Sequence, residues 1–307
     1  MTDMSILERL KEFCDFQEFE PPLTTPKDDL IPPNWPQQGR IDIQNVSIKY
    51  RKELPFVLKN LSLVIKPREK VAIVGKTGSG KSTLMLTLMR ILRISEDAHQ
   101  RRGSILIDGV DIEAIGLHTL RKNIAIIPQD PYLIEGTLRM NIDQLDEYSD
   151  SEICLLLKRL KFRESFGGGG SYTTDLSSRS SKRQKTLDLV DLLDLRIEAN
   201  GGNLSAGQKQ LVCIARALIQ NTKILLMDEA TASIDKKLDS AIQSLVLEVL
   251  RDTTVITIAH RLETVLGYHK VVVLQGGSVV EEGTARELSR KGGVFARMMN
   301  DSGMQRL

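Results

Sequence analysis

Residues 75–83 read GKTGSGKST, and Gly75, Gly80, Lys81 and Ser82 satisfy the spacing G-x-x-x-x-G-K-[ST] between an apolar run, KVAIV, and a helix-like run, LMLTLMRIL. Glycines so placed let backbone N–H groups converge on phosphate oxygens at a helix N-terminus; Lys81 then reaches the β- and γ-phosphates and the Ser82 hydroxyl suits Mg²⁺. Lys76, Thr77, Gly78, Ser79 and Thr83 complete the same loop and are assigned to the nucleotide with it. Further on, ILLMDE closes an apolar run with Asp228 and Glu229. Acidic residues commonly end strands, but downstream of a phosphate loop this pair gains a task. Asp228 would hold the Mg²⁺ shell and Glu229 would polarise the water that displaces the γ-phosphate in line.

Such groups must be held by elements whose patterns are themselves legible. From Arg40, RIDIQNVSIKY and FVLKNLSLVI alternate apolar and polar positions, as paired half-buried strands do. Five nearly all-apolar runs follow, KVAIVG, NIAIIPQ, KILLMDE, TVITIAH and KVVVLQGG, separated by helical stretches such as GQKQLVCIARALIQ. That alternation predicts an α/β fold with a buried parallel sheet. Ahead of it, Ile6, Leu7, Leu10 and Phe13 share one helical face within residues 1–17, and six of the ten prolines fall between Pro21 and Pro36, so residues 18–39 read as an extended Pro-rich linker. Between Phe166 and Thr186 the chain is rich in Gly and Ser, then in Arg and Lys. That stretch reads as a disordered, solvated insertion, and the serines from Ser177 to Ser181, set among basic residues, are candidates for phosphorylation.

Bulk numbers narrow the classes. With 41% hydrophobic residues in 307, the chain can bury one large core or two modest ones. Forty-two basic against 40 acidic residues leave a net charge of +2, which argues against a nucleic-acid surface. Cys14, Cys154 and Cys213 are odd in number and lack metal-ligand spacing, which disfavours a disulfide framework or zinc site and fits a reducing cytosol. No run reaches the 18 or more apolar residues that a membrane span needs, and the N-terminus lacks the order of a signal peptide.

The residues that separate a motor from other phosphate-loop enzymes stand in NLSAGQKQL, where Leu204, Ser205, Gly207 and Gln208 resemble the LSGGQ signature of the ATP-binding-cassette (ABC) ATPases, 20 residues before Asp228. Gln129 in IIPQDPYL is similar to that family's glutamine that touches Mg²⁺ and water and senses the membrane domain. His260 in TIAHRL resembles its γ-phosphate histidine, and Tyr50 resembles its adenine-stacking aromatic, although an aromatic ending a strand is also ordinary core material. Ala232 to Asp235 resembles the loop that signals across the cassette interface, with Ile234 in place of the usual Leu. The resemblance runs from Arg40 to Glu287, interrupted by the insertion. The Pro-rich leader and VLKNLSLVIKPREKVAIVGKTGSGKSTL look like the second cassette of the multidrug-resistance-associated, or C-type, subfamily.

The resemblance implies an ABC ATPase domain over 40–290, with an antiparallel β portion near the adenine and a helical subdomain over about 138–198 that presents the signature; 291–307 would be a tail. It implies ATP and Mg²⁺ as ligands. It implies a second cassette bound head to tail as an ATP sandwich, so that Ser205, Gly207 and Gln208 serve the partner's nucleotide. It also implies fused or associated transmembrane domains at the cytosolic face of a membrane, export of an organic anion or conjugate, and no role for nucleic acid. Ala206 departs from the signature's glycine and puts a methyl group where the opposing γ-phosphate docks. The expectation is therefore asymmetric: a hydrolytic site on Lys81, Asp228, Glu229 and His260, completed by a partner's signature, and a weaker partner site completed by Ser205 and Gly207, with Gln129 counted beside Glu229 and His260 among the catalytic residues. An ATP-gated channel cassette of the same subfamily and a soluble ABC ATPase are the alternatives.

Overall fold

The computed structural model describes residues 20–51, 53–95, 103–160, 162, 189–228, 250–259 and 261–302. The candidate N-terminal helix over 1–17, the insertion and its serines, Glu229, His260 and the stretch from Ala232 to Asp235 lie outside them.

The alternating segments form β1 (Ile41–Ile48) and β2 (Leu58–Ile65), which pair antiparallel with Ile41 opposite Ile65 and Ile43 opposite Leu63. After β3 (Lys70–Val74) and α1 (Lys81–Leu88) come β4 (Ser104–Ile107) and β5 (Val110–Asp111), which extend that sheet in the order β2-β1-β4-β5. Next are α2 (Leu117–Lys122), β6 (Ile124–Ile127), β7 (Gly136–Thr137), α3 (Leu138–Ile142), α4 (Asp150–Arg159), α5 (Leu189–Leu193) and β8 (Arg196–Ile197). The chain then runs through α6 (Ala206–Ile219), β9 (Ile224–Asp228), β10 (Thr254–Ile258), β11 (Lys270–Gln275), β12 (Ser278–Gly283), α7 (Ala285–Lys291) and α8 (Val294–Asp301).

The five apolar runs become the parallel strands of a six-stranded sheet, ordered β12-β11-β3-β10-β9-β6, with β12 antiparallel at one edge. Their all-apolar composition follows from burial on both faces. Ile224 and Leu226 point with Val71 and Ile73 into a core shared with β1 and β2, whereas Leu225 and Met227 point into the core under the helices around Ile153, Leu157, Leu211 and Ile214. Successive side chains on a strand face opposite ways, so each run feeds two cores. Each such Val, Leu or Ile contributes about 1.5–3 kcal/mol by leaving water.

Two boundaries differ from the sequence expectation. Residues 20–39 are a strap fixed to the domain and not a free linker. Trp35 is buried and its indole Nε1 donates to Ile107 O at 2.9 Å, while the Asp108 carboxylate accepts the N–H groups of Gln38, Gly39 and Arg40. Asp28 accepts from Gly116 N–H and Thr25 N–H, each at 2.8 Å. At the other end α8 buries Phe295, Ala296 and Met299, and Phe295 and Met299 share one core cluster with Val271 and Val273, so the packed domain continues past residue 290 to Asp301. The Glu281 carboxylate accepts from the N–H groups of Val294 and Phe295 and so supplies the N-terminal cap that Gly293 cannot. Among the described residues no helix is long and apolar enough to cross a membrane.

Candidate functional site

β3, β10, β9 and β6 are consecutive neighbours and all point the same way, so their carboxyl ends share one edge of the sheet. The glycine loop begins directly after β3, Asp228 closes β9 opposite Ile258 of β10, and Gln129 follows β6 by two residues. Ligands of open α/β sheets bind beyond this edge, because the strands stop there and loops and helix N-termini take over. In sequence, Glu229 directly follows Asp228 and His260 follows Ile258 by two positions.

The loop turns into α1 through Gly80, whose φ of 102° a side chain rarely adopts and whose Cβ would meet Leu58 Cδ2 at 2.6 Å. A glycine N-cap has no side-chain oxygen, so the first N–H groups of α1, at the end of the loop, receive no side-chain cap. Gly78, with φ of +79°, faces space in which nothing lies within 4 Å of where a Cβ would stand. The Lys81 ammonium is drawn into the loop, donating to Gly75 O at 2.8 Å and Lys76 O at 3.2 Å, and the residue is 5% exposed. Lys76, Thr77, Gly78 and Ser82 are exposed, whereas Ser79 and Thr83 are buried. Among the described residues the Ser79 Oγ has no hydrogen-bond partner. An uncapped helix N-terminus, an open glycine and an inward lysine fit a polyphosphate, and the exposed hydroxyl of Ser82 and the carboxylate of Asp228, which ends β9 on the same sheet edge, are oxygen ligands of the kind that Mg²⁺ takes.

Tyr50 lies just beyond β1 and is 49% exposed; its hydroxyl hydrogen-bonds Thr83 Oγ1 at 3.1 Å. That bond places the aromatic beside the phosphate loop and excludes it from the core. Gln129 is exposed at the mouth of its strand.

The signature residues sit on a different element. Ser205 is the N-cap of α6: its Oγ accepts from Gln208 N–H at 3.3 Å, and its own N–H donates to Gln208 Oε1 at 2.9 Å. This capping box rigidifies the helix start. Ser205 and Ala206 are exposed, Gly207 and Gln208 are buried, and Leu204 anchors the turn in the helical core. Asn203 fixes the approach by donating to Arg196 O at 2.7 Å and accepting from Glu198 N–H. Sequence reasoning missed Asn141 and Arg216, which tie α6 to the loop after Gln129; the only trace they leave in sequence is a polar residue inside an otherwise apolar helical pattern.

The model of the ABC transporter family matches residues 58–232, more than half of the chain. The chain is 41% identical, over 98% of its length, to a pleiotropic ABC efflux transporter of multiple drugs from Candida glabrata, and 42% identical, over 97%, to ATP-binding cassette sub-family C member 3 from Rattus norvegicus. It is 40% identical, over 98%, to the bile pigment transporter 1 of Saccharomyces cerevisiae. It spans only 18%, 18% and 19% of those three proteins. Its fold resembles a bacterial Atm1-family ABC exporter with ATP bound, at a TM-score of 0.78 and 30% identity, covering all of this chain and 48% of that one. The strand-edge loop, the capped signature helix and these likenesses converge, and the chain belongs to the ABC transporter family, as a nucleotide-binding domain whose relatives are of the C subfamily.

Proposed function

We propose that this chain binds and hydrolyses ATP with Mg²⁺ as one cassette of an exporter, and that its closure and reopening drive membrane helices, in the same or an associated polypeptide, at the cytosolic face of a membrane. The observation that carries this is the convergence of the glycine loop, Asp228 and Gln129 on the carboxyl edge of adjacent parallel strands. Lys81 and the N–H groups of α1 hold the phosphates, Tyr50 stacks on the base, and Ser82, Asp228 and Gln129 hold the metal shell. Mg²⁺, when bound, screens phosphate charge and orients the leaving group. Glu229 orients and deprotonates water, and His260 contacts the γ-phosphate. Ser205, Gly207 and Gln208 present the positive end of α6 to the nucleotide of a second cassette, and the exposed Ala206 methyl weakens that site. The relatives' names, a multidrug efflux transporter and a bile pigment transporter, favour an organic anion or conjugate as the exported solute.

Glu229→Gln in the membrane-reconstituted assembly tests this. Hydrolysis and solute export should both fall by at least ~100-fold while ATP binding persists. A conductance that stays open longer in the variant would instead identify an ATP-gated channel, and unchanged hydrolysis would remove Glu229 from the reaction.

A further inference from the structure

One face of α6 carries Gln210, Cys213 and Arg216 at positions i, i+3 and i+6, and together they meet the segment on both sides of Gln129, Gln210 just before it and Cys213 and Arg216 after it. Gln210, 2% exposed, points its Nε2 at Pro128 O at 3.5 Å, the residue directly before Gln129. The Cys213 thiol faces the backbone of Tyr132. Arg216 donates three ways into the same segment: Nε to Asn141 O at 2.7 Å, Nη1 to Tyr132 O at 3.1 Å and Nη2 to Asn141 Oδ1 at 3.3 Å. Asn141 is fully buried and closes the loop upon itself, accepting from Ile134 N–H at 3.0 Å and donating to Ile134 O and Thr137 O at 2.8 and 3.1 Å.

We propose that Arg216 and Asn141 are positioning residues that clamp the Gln129 loop along the signature helix, so that a displacement at Gln129 is delivered to Ser205 by a rigid body. The inference rests on the roles given above to Gln129 and Ser205. A guanidinium suits the task because its planar fork of five donors meets three fixed oxygens at once, which an ammonium cannot do. The network is part-buried, and it holds one arrangement chiefly at its Asn141 end, where a lost bond leaves a fully desolvated partner. The segment is tied at Pro128 and again at Asn141, leaving Gln129 between two fixed points, and α6 is a continuous 14-residue helix from Ser205's cap to Ile219. A helix of that length is stiff over about 20 Å.

A double-mutant cycle of Gln129→Ala and Arg216→Lys in the assembled protein decides the matter, with kcat, the KM for ATP and the thermal midpoint measured for each. Arg216→Lys should lower kcat ~10-fold and leave KM within ~2-fold; in the Gln129→Ala background the same change should lower kcat by less than ~2-fold, because the loop then has nothing to deliver. Asn141→Asp keeps the acceptor for Arg216 and loses the donors to Ile134 O and Thr137 O, and should give the same coupled pattern. Equal fold losses in both backgrounds, or a KM rise that tracks a lower thermal midpoint, would overturn the clamp alone. A Gln129→Ala protein with unaltered kcat would overturn the role given to Gln129 itself.

Discussion

Two lysines, Lys70 at the start of β3 and Lys81 at the start of α1, each 5% exposed, show how much a residue's meaning depends on what surrounds it. The Lys70 ammonium is spent on backbone: it donates to Leu250 O, Thr253 O and Arg68 O, and burial lowers its pKa although Asp252 opposes this. Lys81 lies against two carbonyls of a loop whose other surface is open. In sequence only the glycine spacing separated them. Tyr50 shows the reverse limit, since a strand-end aromatic could be core or platform until its half-exposed position and its bond to Thr83 are known. Tyr50→Phe keeps the ring and loses only the hydroxyl, so ATP affinity should stay within ~2-fold, whereas Tyr50→Ala should weaken it ~10-fold through lost stacking. Titration with a fluorescent ATP analogue reads both; equal affinities for Phe and Ala would remove the ring from the site.

Elements were legible where one physical cause dominated. Burial on both faces made the five parallel strands apolar runs, and the helical run GQKQLVCIARALIQ became α6, started by the capping box of Ser205 and Gln208. Strand order, with β10 between β3 and β9, depends on crossovers that no local pattern records. Proline content disguised the leader as a linker, because its anchors are partners 68–88 residues away: Asp108 under Gln38 to Arg40, and Gly116 over Asp28. The tail was misjudged since two glycines precede α8, although Phe295, Ala296 and Met299 at i, i+1 and i+4 carried the signal. Ser205→Ala should cost about 1 kcal/mol in urea unfolding through the lost cap, and Ser205→Thr much less; no difference between them would mean the cap does not stabilise α6. Desolvation raises the pKa of Asp28, but the hydrogen bonds from Gly116 and Thr25 together outweigh it and hold the carboxyl below its ordinary value. Its stabilising contribution is therefore complete above about pH 4 and lost as pH falls through the lowered folded value. The protection factor of the Gly116 amide, its exchange rate taken relative to the intrinsic rate at each pH, should fall on acidification through that range in the native chain and be already low in Asp28→Asn; matching pH profiles would discount the strap's anchor.

At the scale of the whole molecule, the sheet's carboxyl edge and the exposed start of α6 lie on different elements, and in the proposed arrangement the first holds a nucleotide and the second caps that of a partner. A single chain cannot close its signature on its own phosphate loop in the arrangement proposed, which makes partnership a requirement of the chemistry. The exposed Ala206 methyl further predicts that the two composite sites differ. In the proposed arrangement hydrolysis runs on this chain's loop while its signature completes a weaker, retained site. The most direct test of that arrangement is Lys81→Ala in the purified assembly with bound nucleotide counted beside turnover. The prediction is loss of hydrolysis by at least ~100-fold, the removed ammonium having met the β- and γ-phosphates, with one ATP per assembly still held at the partner's loop. Hydrolysis persisting at its native rate, or full turnover by a symmetric homodimer of this chain, would contradict it.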